Sequence, residues 1–479
     1  MKTIILAFDT LVRNMLPNYG NHYVKAPNFE KLHRNFTQFN NCYCGSLPCI
    51  PARRDLHTGR YNFLHRNWGP FEPFDFSVFK FLRDNGTNTH LITDHWHYAE
   101  EGGFGYHNQY SSWELIRGAE GDPFSPCFEK LTNEYDNMYN QNGLLQNQYY
   151  CNKKALGDKS YTSLNVMKRA IDYLDKYHDK DNWLLHIECF SPHEPFDAPE
   201  KFKQLYDMDE KVERCNWPKY IQIDNIPDDV KKAYAANISY CDELLGLLLD
   251  RAETYNLWND TLIIIHTDHG FMLGEHSWLG KNEGPQYEEI SHIPLFIHFP
   301  KMECLSSEIL VQTIDIAPTL LDYYNLPVND SIIGKSILKM LKDNKGHDSI
   351  IYGIHGGHVN YVELPYVYMK ASVRSDNQPL ETYTLLPLKG NEAFSKNEFI
   401  DCELLNDIKY ANGFPILKMA KRNRHDSYKY GDMLFNIADD PMELNNIKDK
   451  NMINLFNMKL YKKLSELEAP QSVLKRIFN

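Results

Sequence analysis

The sequence predicts an α/β protein, a sheet with helices on its faces, followed by a smaller α+β domain. Three observations predict it. Short apolar, β-branched runs alternate with helical stretches along most of the chain. After about residue 345 this rhythm gives way to closely spaced alternating segments, so residues 1–345 and 346–479 are expected as two domains. A chain of 479 residues, 42% hydrophobic and 24% charged, is long enough to fill one large core and one smaller one.

The opening "TIILAF" is short, apolar and closed by Asp9, which reads as a core strand. "NFEKLHRNF" and "PARRDLHTG" are helical. Pro51 suits the first turn of the second, where no N–H is needed, and Gly59 suits its left-handed end. "SVFKFLRDNG" continues as helix, "THLIT" as strand, "MKRAIDYLDKYH" as helix and "WLLHIECF" as strand. The long helix "AYAANISYCDELLGLLLDRAETY" precedes the strand "TLIIIHTD", and "PLFIHFP" and "TIDIAPTLLDYY" extend the alternation. In the smaller domain, "YVELPYVYMKASVRS" and "ETYTLLPL" alternate as strands do, and "NMINLFNMKLYKKLSELEA" is helical. Residues 117–160 are polar, rich in Asn, Tyr and Gly, and expected to form a long surface loop near the site. Functional groups of open α/β sheets gather beyond the carboxyl ends of strands, where Asp9 and Asp268 both fall.

Composition narrows the function. Lys plus Arg total 51 against 64 Asp plus Glu, a net charge of −13 that argues against a nucleic-acid binder. An anionic substrate must therefore meet a local positive site. The first apolar stretch is too short and too quickly polar for a secretory signal, and no apolar run approaches the roughly 18 residues of a membrane span. A cytoplasmic protein with no membrane partner is expected. Ten cysteines in so long a chain make no disulfide framework, and reduced thiols fit that compartment.

"CIPAR", residues 49–53, places Cys49 at the amino-terminal edge of the "PARRDLHT" helix, where unpaired N–H groups favour an anion. Arg53 lies four residues on, so its guanidinium returns toward the same end and adds positive charge beside the sulfur. Taken alone, the pentapeptide equally describes a buried structural cysteine with a surface arginine.

Residues 41–60, "NCYCGSLPCIPARRDLHTGR", resemble the sulfatase signature Cys-x-Pro-x-Arg followed by Thr-Gly, here Cys49, Pro51, Arg53, Thr58 and Gly59. Ordered matches extend the resemblance over nearly the whole chain. They are "AFDTLVRNMLPNYGN", "FSPHEPFDAP", "HTDHGFMLGEHSWLGKNEGPQYEE", "TIDIAPTLLDYY" and "LFNIADDPMELNN". The resemblance implies an alkaline-phosphatase-like sandwich with a large mixed, mostly parallel sheet flanked by helices and a smaller C-terminal antiparallel sheet. It also implies that a maturation enzyme oxidises Cys49 to formylglycine, whose hydrated aldehyde attacks a sulfate ester and forms a covalent sulfoenzyme.

By the same resemblance Asp9, Cys49, Asp268 and His269 hold one divalent metal ion, Ca2+ or Mn2+, a donor set with hard oxygens and one imidazole. Arg53 supports the nucleophile, His193 and Lys281 contact the sulfate and the leaving oxygen, and His97 is the base that releases sulfate. "DHWHY" occupies the place of the family's Lys-x-His pair, with His95 where the lysine would stand, a substrate-binding position by the same resemblance. Asp9 is followed by Thr10, where many sulfatases carry a second aspartate. The Asp9-Thr10 pair together with Asp268-His269 looks more like relatives that hydrolyse phosphonate monoesters and phosphodiesters, while a histidine at 95 weakens the positive charge presented to a dianionic group.

Other residues carry less. Cys42, Cys44 and Cys49 lack the paired spacing of a zinc site. Ser46 begins "SLPCI", a weaker version of the nucleophile motif, since isoleucine stands where the arginine belongs. His65, Arg66 and Asn67 fit either pocket lining or loop packing. Three functions follow: a sulfatase acting on a small-molecule or carbohydrate sulfate ester, a phosphonate monoester hydrolase or phosphodiesterase, and a binding protein that keeps the scaffold. The filled nucleophile, metal and acid positions favour an enzyme.

Overall fold

The computed structural model describes residues 1–128, 143–208, 217–390, 392–406, 408–420 and 425–479. Its centre is an eight-stranded sheet. The strand Lys2–Asp9 lies between Trp183–Pro192 and Thr261–His266 and runs parallel to both. Asn88–Thr93 and then Ser112–Leu115 extend the sheet on one side, again in parallel. On the other side Leu295–His298 is antiparallel to both of its neighbours, Thr261–His266 and Thr37–Tyr43, and Ser306–Gln312 closes the edge parallel to the latter.

Strand period explains the two faces. Ile4, Leu6 and Phe8 point into one apolar core, with Val166, Met167 and Leu174 of the helix Thr162–Tyr177 and Leu244 and Leu248 of Asp228–Thr254. Ile5 points the other way, into a core with Phe79 of Val78–Asp84 and Leu320 of Ile316–Tyr323. The buried helix Cys49–Thr58 lies on this second face, with Ile50 and Leu56 in the core.

A second, smaller sheet orders Met433–Asn436, Tyr366–Lys370, Val359–Glu363, Ile350–Ile354 and Ser46–Leu47. Its C-terminal strands are antiparallel, and the helices Lys450–Glu466 and Gln471–Phe478 cover it through Phe456, Leu460 and Ile477. Ser46–Leu47 comes from the amino-terminal part of the chain and pairs parallel to Gly353–Ile354. The smaller sheet therefore grips the segment immediately before Cys49.

Two expectations are corrected. Cys127 and Cys151 form a disulfide, so not every thiol is free. The stretch expected as a loop contains the helix Gly143–Leu156, because "LLQNQYYCNKKAL" carries helix-compatible residues between its polar ones. Residues 129–142 of that stretch lie outside the described residues. Among the described residues no helix is long and apolar enough to cross a membrane.

Gly59 fixes where the Cys49 helix stops. Its φ is +63°, its N–H donates to Asp55 O at 2.8 Å, and an added Cβ would lie 2.9 Å from Ile332 Cγ2. Gly59→Ala is expected to destabilise the fold by about 1–3 kcal/mol through left-handed strain and this contact. Urea unfolding of the variant checks it, and an unchanged midpoint refutes it.

Candidate active site

Cys49 opens its helix at the carboxyl end of the central strands. The first helical hydrogen bond, Ala52 N–H to Pro48 O at 3.0 Å, closes around it, and Pro51 sits in the first turn without needing a donor. Its Sγ lies 3.3 Å from His269 Nε2 and 3.9 Å from Asp9 Oδ1. One ligand atom from each of Asp9, Cys49, Asp268 and His269 falls within 4.8 Å of the others, and all four residues are buried. The expected metal residues are thus brought together. His269 Nδ1 lies 3.0 Å from Gly270 O, so this ring nitrogen carries the hydrogen and Nε2 is left as a lone-pair donor facing the cluster. Two carboxylates, an imidazole nitrogen and position 49 form a donor set that fits one divalent cation.

Arg53 holds this arrangement. Its Nε donates to Glu188 Oε1 at 2.8 Å, Nη2 to Asp9 Oδ2 at 2.7 Å, and Nη1 both to Asp268 Oδ2 and to the Cys49 carbonyl, the latter at 3.1 Å. The guanidinium does return toward Cys49, yet its charge is spent on three acids. Burial raises the pKa of Asp9, but Arg53, followed by His193, holds it well below the usual carboxylate range. Asp268 is also lowered: burial and Asp9 push it up, and His269 and Arg53 outweigh them. Burial and then Asp9 push the Cys49 thiol well above its ordinary value, so an unmodified Cys49 is a neutral thiol.

Thr10 has a left-handed φ of +64°, unusual for a β-branched residue. Its N–H donates to Asp268 Oδ1 at 2.9 Å and its hydroxyl to Asp9 Oδ1 at 2.6 Å. Lys281 Nζ in turn donates to Thr10 Oγ1 at 2.9 Å and lies 3.4 Å from Glu194 Oε2. Burial would lower the pKa of Lys281, but Glu194 and the acids around Cys49 raise it, which keeps the ammonium charged. His193 follows the strand Trp183–Pro192; its Nδ1 lies 2.6 Å from Glu194 O and its ring packs on Phe190.

His95 is fully buried, with Nε2 3.5 Å from Asp9 Oδ2 and no hydrogen-bond partner on either ring nitrogen. Burial, reinforced by Arg53, lowers its pKa to about 4, so it is neutral. His97 differs from the expectation. Its Nδ1 faces Glu100 Oε2 at 2.7 Å and its Nε2 faces Glu120 Oε2 at 3.1 Å. Burial would lower its pKa, but Glu120 and then Glu100 raise it to about 10. Both ring nitrogens thus face carboxylates, a geometry that leaves no free lone pair for the general-base role expected of His97.

Sequence reasoning missed Glu188, Glu194, Glu100 and Glu120. Glu188 had a signal, a charge inside the apolar run "WLLHIECF"; the two partners of His97 had none. The side candidates are structural. Ser46 donates to Asp55, His65 faces the Tyr61 carbonyl and Arg66 pairs with Glu72.

The family model for sulfatases matches residues 2–326, and that for the C-terminal part of N-sulphoglucosamine sulphohydrolase matches 274–380. An arylsulfatase of Clostridium perfringens is 24% identical over 393 residues, covering 74% of this chain and 81% of its own. Among solved structures, one in complex with its substrate D-glucosamine-2-N,6-O-disulfate has TM-score 0.62 at 16% identity, covering 97% of both chains. The phosphonate monoester hydrolase of Agrobacterium radiobacter has TM-score 0.65 at 16% identity, covering 98% of this chain and 95% of that one. The chain belongs to the sulfatase family of the alkaline-phosphatase-like superfamily, a family of sulfuric ester hydrolases.

Two outcomes follow from the electrostatics. Arg53→Ala should cost about 3–5 kcal/mol of stability in urea unfolding, because it leaves three buried carboxylates unpaired; a stable variant would refute this. The raised pKa of His97 means that its contribution is complete below the unfolded value near 6.5 and is lost as pH rises toward about 10. The stability gap between wild type and His97→Gln should therefore shrink across that window, and a gap constant to pH 10 would refute it.

Proposed function

We propose that this chain hydrolyses the sulfate ester of a small molecule or carbohydrate at Cys49, after a maturation enzyme has converted Cys49 to formylglycine. The observation that carries this reading is the convergence of Asp9, Cys49, Asp268 and His269 within 4.8 Å, beside the buried Lys281 ammonium. A neutral, buried thiol is a poor nucleophile, which favours a modified residue at position 49. A divalent ion, Ca2+ or Mn2+, held by the four residues would supply Lewis-acid charge at the ester oxygens.

The chain's own groups divide the remaining work. Asp9 and Asp268, kept ionised by Arg53, hold the negative charge that draws the cation. Lys281 supplies positive charge toward an entering anion. His193, whose Nδ1 is occupied by the Glu194 carbonyl, keeps Nε2 for a proton to or from the leaving oxygen. With both His97 nitrogens facing Glu100 and Glu120, we assign to His193 the return of the proton it gives, in place of the base role expected of His97. A second reading, phosphonate monoester or phosphodiester hydrolysis in the same site, is favoured by Thr10 in place of a second aspartate. We keep residues 346–479 as a smaller domain whose loops add to substrate choice.

Active protein should carry the aldehyde or its hydrate at position 49 in peptide mass spectra, and Cys49→Ala should retain its fold and lose turnover. Activity with an unmodified thiol would refute the nucleophile. Asp268→Asn should lower metal content and turnover together. An alkoxide is a poor leaving group, so His193→Ala should slow an alkyl or sugar sulfate by about 10²- to 10⁴-fold and a nitrophenyl sulfate far less. Equal losses on the two would remove His193 as the acid. Faster turnover of a phosphonate monoester than of any sulfate ester would select the second reading.

A further inference from the structure

Behind the loop that carries Asp268 and His269 lies a second cluster of acids with no part in the reading above. Glu289 is on the short helix Glu288–Ser291, Glu443 follows the strand Met433–Asn436, and His276 lies just before the strand Trp278–Gly280. One ligand atom from each falls within 4.8 Å of the other two. Glu289 and Glu443 are each only 2% exposed. One oxygen of Glu443 accepts from the Glu288 N–H at 2.8 Å. Its other oxygen, Oε1, is buried without a hydrogen-bond partner, and so is Glu289 Oε2. Glu288 adds a third buried carboxylate: Oε2 accepts from Tyr43 and faces His292, and Oε1 again has no partner.

Among the described residues no lysine or arginine pairs with any of the three. Their ionic neighbours are His276, 3.6 Å from Glu289, and His292, 2.6 Å from Glu288. Buried carboxylates with open lone pairs require a cation or a proton. The unpartnered oxygens converge with a ring nitrogen, an arrangement that suits a cation.

We propose that Glu289, Glu443 and His276 hold a second divalent metal ion, of the Zn2+ or Mn2+ class, separate from the one assigned to Asp9 and Asp268. One imidazole with two carboxylates suits these ions, whereas Ca2+ takes six to eight oxygens. The ion ties together three segments that frame the catalytic loop. His276 leads into the strand that ends beside Lys281. The helix of Glu289 accepts the Gly270 N–H on the Ile290 carbonyl at 2.8 Å, directly after His269. Glu443 brings in the C-terminal part of the chain. The ion acts on the frame and does not touch substrate.

The test uses the full chain, stripped of metal, dialysed against Zn2+ or Mn2+ and analysed for bound metal and thermal melting. Glu443→Gln keeps shape while removing charge, and His276→Ala, at the edge of the cluster, is a second variant. Each should lose one bound ion per chain relative to wild type, together with the part of the metal-dependent rise in Tm that this ion supplies. Asp268→Asn should lose a different ion and keep that part of the rise; Ca2+ should not reproduce it. Cooperative melting of the metal-free variants shows that each has folded. If both variants keep wild-type metal content and the full rise in Tm, the proposal is overturned and the cluster is held by protons. Retention of metal by Asp268→Asn alone would count against the catalytic site and leave this one standing.

Discussion

The site depends on one buried guanidinium. Asp9, Glu188 and Asp268 come from three adjacent parallel strands or the turns that follow them, and their carboxylates would repel one another in a water-poor interior. Arg53 meets all three. Because it is four residues from Cys49 on the same helix, the requirement to satisfy three fixed acids sets the rotation and depth of that helix. The position of the sulfur follows. The acids are in turn held ionised by the arginine, so the helix and the strand ends define each other. The geometry of the cluster is a consequence of strand register and one side chain's reach.

That coupling explains what could be read from the sequence. The alternation of Ile4, Leu6 and Phe8 against Ile5 is a two-face pattern that only a covered strand needs, and the apolar stripe of Thr162–Tyr177 is its helical counterpart. Asp9 and Asp268 were legible because each ends such a run. The strand Ser46–Leu47 was not, since two residues carry no period, although it anchors the segment before Cys49 to the smaller sheet. The Cys127–Cys151 pair was hidden because a count of cysteines says nothing about which two meet.

The site was legible in its residue types and only partly in their charge states. His97 was found by pattern, but its protonation is decided by Glu100 and Glu120, which arrive from loops with no local signature. Glu188 stood in plain view inside an apolar strand; a charge there requires a buried partner, and Arg53 on the Cys49 helix is that partner. A rule that asks for the counter-ion of every charge in a core strand would have found the pair.

The two departures from the sulfatase pattern are a compensated pair. Thr10 in place of an aspartate removes one negative charge, and a neutral His95 in place of a lysine removes one positive charge, so the total charge is unchanged. Both substituents also act on the same group: the Thr10 hydroxyl reaches one oxygen of Asp9 at 2.6 Å, and His95 Nε2 lies 3.5 Å from the other. Either change alone would leave Asp9 in an altered field, with an excess or a deficit of positive charge beside it. Asp9 stays ionised under the control of Arg53, and Lys281 rests on the Thr10 hydroxyl beside Glu194.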